Sequence, residues 1–355
     1  DVLGSRGLGD VYKRQDKRVI FAVAGAGKTT YIVNRLSRGK RSLIITYTNA
    51  NYNNLRKKII DKFNGEWPEN IELMKYFSFL YKFCYRPFLS DRVKAKGIIY
   101  EPNSNIYLKE SDSEYYITPN RYLYSNRLAK LLIKMQVVDL LKERLIKYFD
   151  EFIIDEVQDL AGRDFELLEH LMTVKMDTLF VGDFYQHTYD TSRDGNFYKK
   201  LFDNKSSYEK RYVDREIIPD NYTLTKSYRC SPQVCEYVKS NLGIDIGSHR
   251  ERKSDSTIEL VDDKSRAYHI LNDSNIVKLH YNNSADYGFG HRNWGDVKGV
   301  DSFYDVCVVL NKTTSKFMRN NKLMELTPST RNKLYVAITR ARGNVYLIED
   351  KMLKI

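Results

Sequence analysis

From Arg18 onward, short runs of aliphatic and β-branched residues alternate with stretches whose apolar residues recur at helical spacing. Val19 to Val23 predicts a buried strand, then a glycine-rich turn, then a helix from Thr29 to about Leu36. Ser42 to Thr46 predicts a second strand and Asn49 to Phe63 a helix. Phe152–Ile154 and Thr178–Val181 are further apolar strands, each followed closely by acidic residues. Strand and helix in alternation predict an α/β fold with parallel sheets, and such sheets bind ligands at the carboxyl edge of their strands.

The segment from about Glu72 to Tyr148 is different in kind, rich in Tyr, Phe, Lys and Arg. Leu128, Leu131, Leu132, Met135, Val138 and Leu145 keep helical spacing, which predicts one long amphipathic helix closing a small, mostly helical insertion. A second α/β unit is expected from near Tyr222, with strands at Ile276–Leu279, Val306–Leu310 and Val345–Ile348. The polar stretch Asp203–Tyr222 reads as the linker, and no internal repeat of solenoid length is present. The expected division is a first domain over 16–215, carrying the insertion at about 72–148, and a second over 216–355. Residues 1–15, DVLGSRGLGDVYKRQ, lack an initiator Met and resemble translated adapter sequence, with a native N-terminal arm as the other reading.

Composition adds a partner to this picture. A chain of 355 residues suits about two domains of ordinary size. No apolar run approaches the ~20 residues that span a bilayer, so no membrane partner is expected. Cys84, Cys230, Cys235 and Cys307 are scattered without zinc-type pairing, and the six His lack metal-ligand spacing. Reduced, packed thiols in a cytoplasmic protein are expected. The net charge of +12 favours polyanions through counterion release, and the 28 tyrosines supply flat rings that can stack on bases.

The chemistry is concentrated in two motifs. Ala22, Val23, Ala24, Gly25, Ala26, Gly27, Lys28, Thr29 and Thr30 follow a strand and open a helix. Glycines there let the backbone N–H groups from Ala24 to Thr30 wrap a triphosphate at a helix N-terminus. Lys28 would reach the β- and γ-phosphates and Thr29 would hold Mg²⁺. The run Phe152 to Asp159 supplies the acidic partner: Asp155 at a strand end for Mg²⁺, and Glu156 to orient and deprotonate the attacking water. Together they point to Mg²⁺-dependent nucleoside triphosphate hydrolysis.

The remaining motifs, in their order, resemble the UvrD/Rep family of superfamily 1 helicases. Thr46, Tyr47, Thr48, Asn49 and Ala50 resemble its TFTNxA segment, and Lys75 to Phe79 its TFHSF segment, with Phe77 in place of His and Ser78 following. Gly182, Asp183 and Gln186 resemble GDxxQ, Leu224 to Arg229 resemble LxxNYR, and Gly295 to Asp301 resemble HKSKGLE. Leu334 to Arg342 match LYVAxTRA closely. The resemblance implies two RecA-like P-loop domains around ATP. It gives Gln186 and Arg229 contact with the γ-phosphate, Tyr228 stacking on adenine, Asp301 the ribose, and Arg340 the role of arginine finger. Thr46, Tyr47, Thr48, Asn49, Phe77, Ser78, Tyr189 and Lys298 would meet the nucleic acid.

The chain departs from the family's pattern in three places. Arg229 to Gly295 is too short for a large second insertion, and Thr191 stands where a base-stacking Trp is usual, with Tyr189 as a partial substitute. An upstream adenine-reading Gln motif is not recognisable. The resemblance implies an ATP-dependent translocase and 3′→5′ helicase on single-stranded or partly duplex DNA. The other readings are an ATP-switch subunit of a larger nuclease or defence/repair assembly, partnered by that effector, and an RNA motor.

Overall fold

A computed structural model describes residues 15–188, 197–250, 256–288, 290–300 and 302–354. The first part of the chain holds strands β1 (Lys17–Phe21), β2 (Ser42–Thr46), β3 (Ile71–Lys75), β4 (Gly97–Ile99), β5 (Tyr122–Tyr124), β6 (Glu151–Asp155), β7 (Asp177–Gly182) and β8 (Ile218–Asp220). Six of them form one all-parallel sheet in the order β3-β2-β6-β7-β1-β8, while β4 and β5 pair with each other. Helix α1 (Lys28–Arg35) follows β1 and helix α2 (Asn49–Lys62) follows β2.

An all-parallel sheet is covered on both faces, so its strands need apolar residues at every position, not at alternate ones. Val19, Phe21, Leu43, Ile45, Phe152 and Ile154 enter one core; Ile20, Ile44 and Ile153, their neighbours in sequence, enter another across the sheet. The second sheet repeats the device. Strands β9 (Lys226–Ser227) and β10 (Gly247–Ser248) pair separately. Then β11 (Ile258–Val261), β12 (Val277–His280), β13 (His291–Asn293), β14 (Val306–Leu310) and β15 (Val345–Glu349) form an all-parallel sheet ordered β11-β15-β14-β12-β13. Val306, Val308 and Leu310 face one core, Cys307 and Val309 the other. The α/β class and the two parallel-sheet units, consistent with two RecA-like domains, are as the sequence predicts.

Three expectations need correction. The single amphipathic helix is two helices, Ser125–Lys134 and Val138–Tyr148, separated by a turn in which Gln136 takes φ 56°. A straight helix over residues 128–145 would run about 27 Å. The turn instead folds Leu141 and Leu145 back into the core that Leu128, Leu131 and Leu132 occupy. Likewise Asp203–Tyr222 is not a bare linker. It contains a helix, Lys205–Val213, whose Tyr208 and Tyr212 are fully buried one turn apart and hydrogen-bonded at 2.7 Å. It also contains β8, which lies parallel to β1. The first strand ends at Phe21, and Ala22 and Val23 leave it to bond Gly182 and Leu224 carbonyls at 2.8 and 2.9 Å.

Residues 72–75, at the start of the aromatic segment, are part of β3 and pair with β2. Strands β11 and β13 have no apolar run long enough to announce them. The four cysteines are buried free thiols. Among the described residues, no helix is long and apolar enough to cross a membrane.

Candidate functional site

The turn after β1 is built by its glycines. Gly25 and Gly27 adopt φ of 70° and 85°, where a side chain is strained, and α1 begins directly at Lys28. At Gly25 space matters as much as angle. A Cβ there would lie 2.7 Å from Ser227 Oγ and 2.8 Å from Arg229 Cβ, so only glycine lets the second unit close on this loop. Tyr228 N–H donates to the Gly25 carbonyl at 2.9 Å, and Val23, Ala24 and Ala26 share one apolar cluster with Cys230, Val234 and Leu334.

At the carboxyl end of β6, Asp155 is the last strand residue and Glu156 is held at φ 57°, a left-handed conformation costly for a residue with a side chain. Lys28 Nζ lies 3.3 Å from Glu156 Oε1, and the Gln158 amide donates to the other oxygen. Burial alone would lower the Lys28 ammonium, but Glu156, Asp183 and Asp155 around it raise it. Burial, and then the Glu156 charge, push Asp155 up to about 7. Burial opposes the Glu156 charge too, yet Lys28 and Lys298 hold it at about 2. Glu156 is thereby anionic beside a cationic Lys28.

Asp155 Oδ1 is buried without a hydrogen-bond partner. An orphaned carboxylate oxygen within electrostatic reach of Lys28, the residue next to the hydroxyl-bearing Thr29, fits Mg²⁺, which takes one or two protein oxygens and fills its shell with water and phosphate. Among the described residues no group of three or more His, Cys, Asp or Glu could hold a metal alone.

A chain of hydrogen bonds joins the two units. Asp183 Oδ2 accepts from the Gln186 amide at 2.8 Å and from the Tyr335 hydroxyl at 3.0 Å. The same hydroxyl accepts from Ala24 N–H at 2.8 Å. Gln186 Oε1 accepts from Arg340 at 3.4 Å, and Arg229 donates to the Thr339 carbonyl at 3.0 Å. Tyr335 and Arg340 lie on and just beyond the helix Pro328–Ile338, so one helix end reaches both the phosphate loop and the Gln186 amide. Arg340 is almost wholly buried, also bonding the Val297, Val300 and Val336 carbonyls.

These groups open on a cleft of about 530 Å³ between the units. Gly25 to Thr29, Glu156 and Gln186 line it from the first; Tyr228, Arg229 and Arg340 line it from the second. Its described lining holds six cations, Lys28, Lys58, Arg229, Arg250, Arg340 and Arg342, against the one carboxylate of Glu156, a balance suited to a polyphosphate. Thr30 borders the neighbouring pocket and accepts from Lys58 at 2.8 Å. Tyr228 stacks on His249 with ring centres 4.0 Å apart. Asp301 and Tyr189 lie outside the described residues.

Several lining residues carry no motif. Asn51, Asn54 and Lys58 present one polar face of α2 at spacings of three and four, a periodicity the sequence already holds. Arg342 sits inside a recognised string, but only contact assigns it a place. Arg250 bonds the Arg229 and Arg342 carbonyls and is not visible from spacing at all.

The expected nucleic-acid residues divide. Tyr47 and Phe77 meet edge-on, ring centres 5.7 Å apart, at the carboxyl ends of the adjacent strands β2 and β3, and Ser78 and the exposed Asn49 are nearby in the chain. The Thr48 side chain caps α2 by accepting from Asn51 N–H at 3.1 Å. The other two are buried. Thr46 is the last residue of β2, and its hydroxyl has no hydrogen-bond partner. Lys298 is buried against the Asp159 carboxylate of the first unit, where it ties the units together.

No family model and no curated protein matches the chain. Solved structures match in fold. The crystal structure of Arterivirus nonstructural protein 10 (helicase) is similar over 95% of this chain and 61% of that one, at 13% identity and a TM-score of 0.50. The complex of Arterivirus nonstructural protein 10 (helicase) with DNA gives 13% identity and a TM-score of 0.49, over 95% and 62% of the respective chains. This chain spans about three fifths of the length of those proteins. At such identity the likeness is one of fold, and it extends over both parallel-sheet units.

Proposed function

We propose that this chain is an ATP-hydrolysing motor on single-stranded or partly duplex DNA, a compact UvrD/Rep-like translocase moving 3′→5′. The observation that carries the reading is the cleft to which both units contribute, Lys28 and Glu156 from one and Arg229 and Arg340 from the other. Charge that develops on a transferring phosphoryl group is stabilised only where all four groups converge. Opening and closing of the seam with each turnover then moves a strand lying across both units. A domain division after β8 and not at residue 215, because β8 belongs to the first sheet, the roles of Gln186 and Tyr228, and the strand contacts of Tyr47, Asn49, Phe77 and Ser78 belong to this reading. So does the 3′→5′ direction, for which the Thr339–Arg340 form of the last motif is the support.

In the site, Lys28 and the N–H groups of Gly25 and of Gly27 to Thr30 hold the phosphates, since Ala24 N–H is taken by the Tyr335 hydroxyl and Ala26 N–H by the Val23 carbonyl, and Glu156 takes a proton from the attacking water. Thr29 and Asp155 would hold Mg²⁺, which supplies charge neutralisation across the phosphates. The test is the ATPase rate against concentration of single-stranded DNA, and of the matching RNA, at two salt concentrations. A steep rise with DNA that fades with salt is expected. Equal hydrolysis with and without any strand refutes the motor.

A second reading, an ATP switch within a larger nuclease or defence/repair assembly, draws on the shortness of the stretch between Arg229 and Gly295. Strand displacement by the isolated protein refutes it.

A further inference from the structure

Three rings from three separate segments meet beside the start of α2. Tyr47 follows β2 and Phe77 follows β3, two strands whose ends are in register at Thr46 and Lys75. Tyr100 follows β4, in the inserted segment, and its ring meets Phe77 edge-on with centres 5.5 Å apart. Tyr47 and Phe77 are packed into the body of the fold, but Tyr100 is 66% exposed. A lone exposed tyrosine needs no explanation. One set nearly perpendicular to a partly buried ring, with most of its own surface left to water, is a flat platform held from one side.

We infer that Tyr100 is a base-stacking residue, its ring taking a nucleobase of a bound single strand. The inference rests on the motor reading, and it names a residue of the insertion that the motifs do not reach. Charge and continuity favour a nucleic acid as the occupant. The chain carries +12, and the Lys75 ammonium stands at the cluster, donating to Asn49 Oδ1 at 3.0 Å. The cluster also adjoins the N-terminus of α2, and Asn51, Asn54 and Lys58 of that helix line the nucleotide cleft. The ring cluster and the nucleotide cleft thus share α2. Stacking of this kind tolerates any base, because every base has a flat face. It also supplies a platform in a chain that has Thr191 where the resemblance places a Trp.

The test measures strand affinity by fluorescence anisotropy for wild type, Tyr100→Ala and Tyr100→Phe. The probes are oligothymidylate, oligouridylate and a fully abasic strand of equal length. Tyr100→Ala is expected to weaken binding of base-bearing strands roughly 5- to 100-fold and to leave the abasic strand unaffected. Tyr100→Phe keeps the ring and stays within about 2-fold of wild type. Because the lost contact is uncharged, the slope of log affinity against log salt stays unchanged in Tyr100→Ala, whereas Lys75→Ala lowers it. The exposed position leaves the thermal midpoint unmoved, which separates lost stacking from lost folding. A loss for oligothymidylate alone supports a DNA base; a loss for both base-bearing probes supports a platform indifferent to sugar. If wild type binds base-bearing strands and Tyr100→Ala binds them equally, or loses the abasic strand equally, the inference is overturned while the motor reading stands. If wild type binds no strand, both fall.

Discussion

Tyr335→Phe removes one oxygen atom from the seam and nothing else. The Tyr335 ring is fully buried, so phenylalanine keeps its packing. Two hydrogen bonds vanish, the one from Ala24 N–H at 2.8 Å and the one to Asp183 Oδ2 at 3.0 Å. The losses are unequal in kind. Ala24 is fully buried, and its orphaned N–H costs about 1–3 kcal/mol. Asp183 keeps the Gln186 amide at 2.8 Å and Tyr185 N–H at 3.1 Å, so its carboxylate loses one donor of three, roughly 1 kcal/mol more. The sum is about 2–4 kcal/mol, spent at contacts that cross between the units. Urea denaturation followed by circular dichroism reads it as a lower midpoint at unchanged slope. The ATP concentration for half-maximal hydrolysis rises as well, because Ala24 belongs to the phosphate loop. A midpoint shift worth less than about 0.5 kcal/mol would show that the hydroxyl does not bridge these groups in solution and refute the seam geometry.

Other perturbations test other parts of the site. Glu156→Gln keeps the shape of the side chain and should cut turnover about 10²- to 10⁴-fold while ATP still binds, as read by single-turnover kinetics and nucleotide titration. Arg340→Ala should leave ATP binding largely intact and lower turnover about 10³-fold or more; normal turnover would dismiss it as the finger. Lys298→Met strands the buried Asp159 carboxylate and should cost about 3–5 kcal/mol in denaturation, most of it recovered when Asp159→Asn is added. His280 is held at about 4 by burial and by the nearby His291, whose Nδ1 is 2.8 Å from its Nε2. Since the fold keeps this imidazole neutral, stability is complete above the ordinary value of 6.5 and is lost as pH falls from there through about 4. Thermal midpoints across that window should drop less in His280→Gln than in wild type.

The sequence by itself carried the α/β class, because strands buried on both faces must be apolar at consecutive positions, and Ile44 and Ile45 satisfy that wherever the chain goes next. It also carried Lys28, Asp155 and Glu156 as candidates, since a phosphate loop and its acidic partner need particular residues at close spacing, while Gln186 and Arg340 came only from the resemblance to a helicase family. Local patterning failed where a distant partner set the outcome. The 128–145 periodicity is genuine on both sides of Gln136, but the fold turns there to bring Leu145 back onto the core. Tyr208 and Tyr212 are polar in composition yet fully buried, because Phe21, Phe165 and Phe180 enclose them. Lys298, which reads as a surface cation, is claimed by Asp159, 139 residues away. Only the tertiary structure could decide such pairings: spacing along the chain fixes which face a side chain takes, but the partner on that face comes from wherever burial must be balanced.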